Sequence, residues 1–135
     1  MGVVLLFSAT LPSSTSYSTK LVTAKNNLRA AQSDSVMSSV LFNSMIDSIF
    51  PAWMGTNWDF NGTSNVPKQG EIACGYFVST TLKHVGFNLN RYKLAQQAAS
   101  VVIDVLCGNN KAYSSDKFAL INKLKAKKGN RLYVV

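Results

Sequence analysis

The sequence predicts a helix-dominated α+β fold with about four helices and few strands. The chain has 135 residues, 47% of them apolar, enough for one domain with its own core. Apolar residues recur at three- and four-residue spacing in several separate stretches, the period of an amphipathic helix. Runs of β type occur only near the N-terminus and at residues 131–135 (RLYVV). A strand needs neighbours for its backbone groups and a cover for its faces. The pattern therefore reads as the helical half of a domain whose sheet is missing, and residues 20–135 as a single truncated domain.

Residues 1–19 are expected to lie outside that domain. GVVLLFSA at 2–9 is apolar and followed by small residues, like the core of a secretory leader, but has no basic stretch before it. Residues 12–19 (PSSTSYST) read as a polar linker. The first 19 residues are thus a leader remnant or a flexible N-terminal segment. Residues 20–31 (KLVTAKNNLRAA) form a short helix with Leu21, Leu28 and Ala31 on one side.

Asp34 and Ser35 open a clearer helix. Val36, Met37, Val40, Leu41, Met45, Ile46, Ile49 and Phe50 make its apolar face, and Pro51 is expected to stop it. A loop rich in Trp, Asn and Gly follows at 53–70. Residues 74–85 read as a helix with Phe77, Val78, Thr81, Leu82 and Val85 inward, ended by Gly86. Asn90 caps the next, from 91 to about 107, whose inward set is Leu94, Ala95, Ala98, Val101, Val102, Val105 and Leu106. Asp116 caps a last helix to about 127, carrying Phe118, Leu120, Ile121 and Leu124.

Composition narrows the function classes. Charged residues make up 15%, against about 25% in typical soluble domains; a disordered chain would need low hydrophobicity and high charge. No apolar run approaches the ~20 residues of a spanning helix. Two cysteines, Cys74 and Cys107, are too few for a disulfide framework, and with one histidine no zinc site assembles from soft ligands. No metal or cofactor is expected.

The formal charge of +8 is uneven. Residues 1–70 hold four Lys and Arg against three acids, a net of +1; residues 71–135 hold ten against Glu71, Asp104 and Asp116, a net of +7. A basic half fits an anionic partner, reached through the 111–131 region, or else a solvated helix face. Its lysines lack the aromatic interleaving of a specific nucleic-acid site.

Cys74, at the start of a helix, is the sharpest chemical feature. Free N–H groups and the helix dipole stabilise a thiolate there and sharpen it as a nucleophile. Gly75 beside it would let a substrate backbone approach. Gln69, in the bend with Gly70, is an oxyanion candidate and equally a turn residue. Trp53 and Trp58 are candidates for lining a sugar- or peptide-binding cleft, or for core packing. Asn61-Gly62-Thr63 fits the glycosylation sequon but reads as a loop turn.

The run from Cys74 through Gly75, Tyr76, Phe77 and Val78 to Gly86 and Asn90-Arg91 resembles the nucleophile helix of the NlpC/P60 superfamily of papain-like cysteine hydrolases. That family reads roughly D-C-S-G-F-V, a helical turn or two, then A-G-I and L-P-R. Upstream, Trp58 to Thr63 (WDFNGT) is similar to the aromatic, Gly-rich stretch before the family's cysteine. The likeness spans about residues 53–95. Ala73 stands where the family has Asp, and Gly75-Tyr76 where it has Ser-Gly. Gln69 is one residue short of papain's Q-G-x-x-x-x-C spacing.

The resemblance implies a papain-like fold of which this is the N-terminal helical portion, with Cys74 as nucleophile. It further implies a peptide or peptidoglycan-like substrate and an extracytoplasmic location, secreted or in the cell envelope of a bacterium. Such chemistry needs an imidazole within hydrogen-bond reach of the sulfur. His84 is ten residues along the same helix, about 15 Å of rise away, and its side chain points about 80° from that of Cys74. His84 is expected on the helix surface or in its last turn, as a cation complementing the dipole. In the superfamily the histidine comes from the sheet downstream, beyond Val135 here, so the chain alone is expected to be inactive. The alternative is a non-enzymatic basic binding or scaffold module for an anionic polymer or membrane surface.

Overall fold

The computed structural model describes residues 16–129 and Tyr133. Of the leader or flexible segment read at 1–19, residues 1–15 fall outside the described residues, while Ser16 caps and residues 17–19 open the first helix; the strand reading of 131–135, apart from Tyr133, also falls outside them. The described part is helix-rich, with two two-residue parallel strands.

Helix α1 (Tyr17–Ala30) begins three residues before the position its apolar spacing marks. The Ser16 hydroxyl accepts from the Thr19 N–H and caps it, satisfying an otherwise orphaned donor. Its inner side presents Ala24, buried, with Leu21 and Leu28 half-buried.

Helix α2 (Asp34–Ser44), capped by Ser33, runs into a π-helical turn (Met45–Ile49) and a short helix α3 (Phe50–Trp53). Pro51 does not stop this path, contrary to expectation. A proline lacks the N–H and its ring meets the carbonyl four residues back. In the wider turn before it, the Phe50 N–H bonds the Met45 carbonyl five residues back, and the ring fits into the first turn of α3. The π turn also sets which residues point inward. Met45, Ile49 and Trp53 are buried, whereas Val36, Met37 and Ile46, assigned to the apolar face, are exposed.

Strand β1 (Asn57–Trp58) pairs in parallel with β2 (Glu71–Ile72), Asn57 opposite Glu71 and Trp58 opposite Ile72. The intervening loop folds back on β2 through an antiparallel bridge from Thr63 to Ile72. Gly62 allows this approach: a Cβ there would lie 2.5 Å from the Glu71 carbonyl carbon and the Ile72 nitrogen. Asn61 lies in a turn, its N–H on the Asp59 carboxylate at 2.7 Å, and Thr63 is already in the bridge to β2.

Helix α4 (Cys74–His84) follows β2 after Ala73 alone. Ser79, Thr80, Thr81 and Leu82 are all buried; four consecutive positions span nearly the full circumference, so protein surrounds the middle of α4. The Ser79 and Thr81 hydroxyls are satisfied within the helix, as in the Thr81 bond to the Phe77 carbonyl at 2.8 Å. The helix closes as the Gly86 rule anticipates. Gly86 has φ +109°, its N–H bonds the Lys83 carbonyl and that of Phe87 the Leu82 carbonyl, the paired bonds of a Schellman ending.

The expected helix from 91 to 107 is two helices, α5 (Arg91–Ala95) and α6 (Ala99–Cys107). The Gln97 N–H bonds the Leu94 carbonyl in a tightened three-residue turn, and Ala98 is extended at ψ 148°. Of the inward set Leu94 and Val102 are buried, while Ala98, Val101 and Val105 are exposed. Helix α7 (Lys117–Lys125) is capped by Asp116 as expected. Phe118 and Ile121 lie on its exposed side, and Leu120 and Leu124 are half-buried. None of the described helices is long and apolar enough to cross a membrane.

The core joins Met45, Ile49, Trp53, Ile72 and Val85, with Tyr17, Leu21, Leu41, Phe50 and Phe77 among the residues packed on it. It thus sits where α1, the π turn and α3 meet α4, and it anchors β2, the strand that leads to Cys74.

Candidate functional site

Cys74 is the first residue of α4 and is exposed. Three constraints place it. The Ile72 side chain is buried in the core, the Ala73 N–H bonds the Gly62 carbonyl at 2.9 Å, and the Ala73 carbonyl accepts from the Phe77 N–H at 2.8 Å. Ala73 offers no capping side chain, so the first-turn N–H groups beside the sulfur are not covered by a cap. The exposed thiol therefore sits at the positive end of an eleven-residue helix whose middle is enclosed.

Gly75 does not open room for a substrate. A Cβ there would stand 2.6 Å from the Ala95 carbonyl oxygen, so the missing side chain lets the end of α5 pack on the first turn of α4.

Arg91 fastens the loop over this junction. It is 4% exposed and has no carboxylate partner among the described residues. Its Nε donates to Thr80 Oγ1 at 2.8 Å, and Nη2 donates to the carbonyls of Thr63 at 2.8 Å and Ser64 at 2.9 Å. Its guanidinium carbon lies 5.1 Å from the centre of the Tyr76 ring and 4.8 Å from that of Tyr92. One buried cation thus joins α4, α5 and the Thr63–Ser64 strip that braces β2. Hydrophobic periodicity gave no sign of this role; the one sequence pointer was the Asn90-Arg91 pair in the family-like run.

The other site candidates separate. Trp53 is 4% exposed and belongs to the core, so packing is its role. Trp58 is 64% exposed on β1. Gln69 is exposed and enters the turn through its backbone, its N–H bonding Val66 and its carbonyl accepting from the Ser64 hydroxyl. A shallow open depression of about 380 Å³ is lined by Gly55, Asn57, Lys68, Gly70 and Glu71. It lies along the β1–β2 pair, and Cys74 is not in its wall.

His84 lies at the opposite end of α4 from Cys74. Its Nδ1 is 2.8 Å from the Tyr17 hydroxyl, which accepts from Trp53 Nε1 at 2.9 Å. Its ring stacks on Trp53 at 6.4 Å between centroids. Burial, then the charges of Lys25, Arg91 and Lys83, push its pKa down to about 4. This corrects the expectation of a cation at the helix terminus: the imidazole is neutral at pH 7. The Tyr17 oxygen already accepts from Trp53, so its own hydrogen is placed to donate to Nδ1. Burial in turn pushes the Tyr17 phenol up.

Cys107 ends α6, half-buried, and both cysteines are free thiols. No family model, curated protein or solved structure matches the chain.

Proposed function

We propose that Cys74 is the nucleophile of a cysteine-hydrolase-like domain acting on amide bonds of a peptide or peptidoglycan-like substrate, in an extracytoplasmic setting. The observation that supports it most is the exposed thiol on the uncapped first turn of a helix enclosed along its middle. A nucleophile has to be both reachable and rigidly held.

In the reaction the thiolate attacks the amide carbonyl carbon. A C–S bond forms, the C–N bond breaks, and the amine leaves after taking a proton. Water then hydrolyses the thioester, releasing the acid and restoring the thiolate. First-turn N–H groups are suited to meeting the negative charge that develops on the carbonyl oxygen. Exposed Trp58, paired with Ile72 two residues before Cys74, and the depression along β1 and β2 are candidate surfaces for the rest of a substrate.

Both proton transfers need an imidazole. The chain's single histidine is committed to Tyr17 and Trp53, about three helical turns from the sulfur. An imidazole serving Cys74 is therefore not His84. The test is hydrolysis of a peptidoglycan-type peptide by protein that includes such a histidine. Activity lost in Cys74→Ala is the expected outcome, and undiminished turnover in that variant would overturn the proposal. The 135-residue chain alone is expected to show no turnover.

A second reading, an anionic partner bound through the 111–131 region, is favoured by the exposure of Lys117, Lys123, Lys125 and Lys127. Binding to a polyanion that weakens steeply with added salt is its signature; salt-independent or absent binding removes it.

A further inference from the structure

Residues 111–128 carry six lysines against Asp116 alone. Lys111 is spent in an ion pair with Asp104, and Asp116 in capping α7. The remaining positive charge is set around apolar side chains that face solvent. At about 100° per residue, Lys117, Phe118, Ile121 and Lys125 fall within roughly 100° of arc on α7, while Leu124 and Leu120 continue the arc past Lys117 by about 20° and 60° and are half-buried. Phe118 is 69% exposed, with the Lys117 ammonium 5.3 Å from its ring centre. Tyr113, just upstream, is 83% exposed, and its carbonyl accepts from Lys123.

We propose that this outward face of α7, with Ile121 between Lys117 and Lys125 and Phe118 at its edge, docks on the surface of an anionic lipid bilayer. The inference rests on the second reading above and names its partner. The Ile121 and Phe118 side chains enter the boundary between headgroups and acyl chains, while the flexible lysine stems let the ammonium groups remain at the level of the lipid phosphates. Ile121 distinguishes a bilayer from a nucleic acid or a soluble polyanion: an aliphatic side chain offers no flat face for a base and no charge for a polymer. A nine-residue helix with two apolar contacts gives shallow, reversible, salt-sensitive attachment. Such attachment is independent of Cys74.

The experiment is sedimentation of the full chain with vesicles of equimolar phosphatidylglycerol and phosphatidylcholine, beside pure phosphatidylcholine vesicles and immobilised polyphosphate. Binding to the anionic vesicles and not to the zwitterionic ones is expected. Phe118→Ser/Ile121→Ser should weaken vesicle binding about tenfold or more and leave polyphosphate retention unchanged. Lys117→Gln/Lys125→Gln should weaken both. Should the double serine variant lose its helical circular dichroism, Ile121→Ser alone serves, with a smaller loss in the same direction. Vesicle binding that is absent, or indifferent to the serine substitutions, overturns the lipid inference. If salt-sensitive polyphosphate retention persists in that case, the second reading stands without it; if neither probe binds, both fail.

Discussion

Arg91 and Thr80 meet inside the fold, the guanidinium Nε donating to the threonine hydroxyl at 2.8 Å with both residues buried. The same guanidinium holds two carbonyls of the loop that braces β2. Arg91→Ala would leave those acceptors without their donor and lower stability by roughly 2–4 kcal/mol. Arg91→Lys should recover little, because an ammonium cannot reproduce a planar fork donating in three directions. Urea unfolding of the two variants checks this; a lysine variant as stable as the parent would contradict the latch.

Tyr17, Trp53 and His84 form an acid-sensitive contact between α1, α3 and α4. The imidazole's ordinary pKa of 6.5 falls to about 4 in the folded chain. Above 6.5 the imidazole is neutral in both states, and this contribution to stability is fully present. As pH falls from 6.5 towards 4 the unfolded chain takes up a proton that the folded chain refuses, so stability is lost. Because the ring is partly reached by solvent, the loss is roughly 1–3 kcal/mol. His84→Gln should flatten the stability profile across that window. Equal slopes for the variant and the parent, measured by urea unfolding at stepped pH, would remove the effect from His84.

Gly75 is expected to matter to folding before any substrate is added. Gly75→Ala drives a methyl against the Ala95 carbonyl at 2.6 Å and should cost roughly 1–3 kcal/mol. A thermal unfolding scan reads this directly; an unchanged midpoint would return Gly75 to the role of making space for a ligand.

Ile49, fully buried where the π turn meets the core, should lose about 2–5 kcal/mol on truncation to alanine. Ile46→Ala, three residues away but exposed, should cost well under 1 kcal/mol. The contrast tests the inward direction that the π turn imposes, since an unbroken α-helical spacing assigns both residues to the core face.

Much of the fold was legible in the sequence where a local signal coincided with a tertiary role. Asn90 and Asp116 cap helices and Gly86 ends one; of the inward set read for 74–85, Thr81, Leu82 and Val85 are buried and Phe77 and Val78 half-buried, while Ser79 and Thr80, outside that set, are buried because α5 and the core enclose the helix. Legibility failed where a distant contact decided the outcome. Pro51 reads as a stop until the π turn moves the bonding around it. The break between α5 and α6 occurs at Gln96–Ala98, without a glycine or proline to mark it. At the candidate site, Cys74 at a helix start and the separation of His84 from it followed from spacing alone. Trp53 and Trp58 could not be told apart without knowing that Tyr17 and His84 enclose the first and that β1 leaves the second in solvent. The role of Arg91 was illegible because two of its three acceptors are main-chain carbonyls 27 and 28 residues away, which no pattern of side chains records.

The most direct measurement of the central claim is the relative rate at which iodoacetamide modifies the two thiols of the native chain at neutral pH, mapped by mass spectrometry. If Cys74 is a nucleophile held at the open end of α4, it should react well ahead of Cys107, and faster than in urea-unfolded protein, where the helix terminus no longer exists. Modification of Cys74 at or below the rate of Cys107, or an increase on unfolding, would contradict the account.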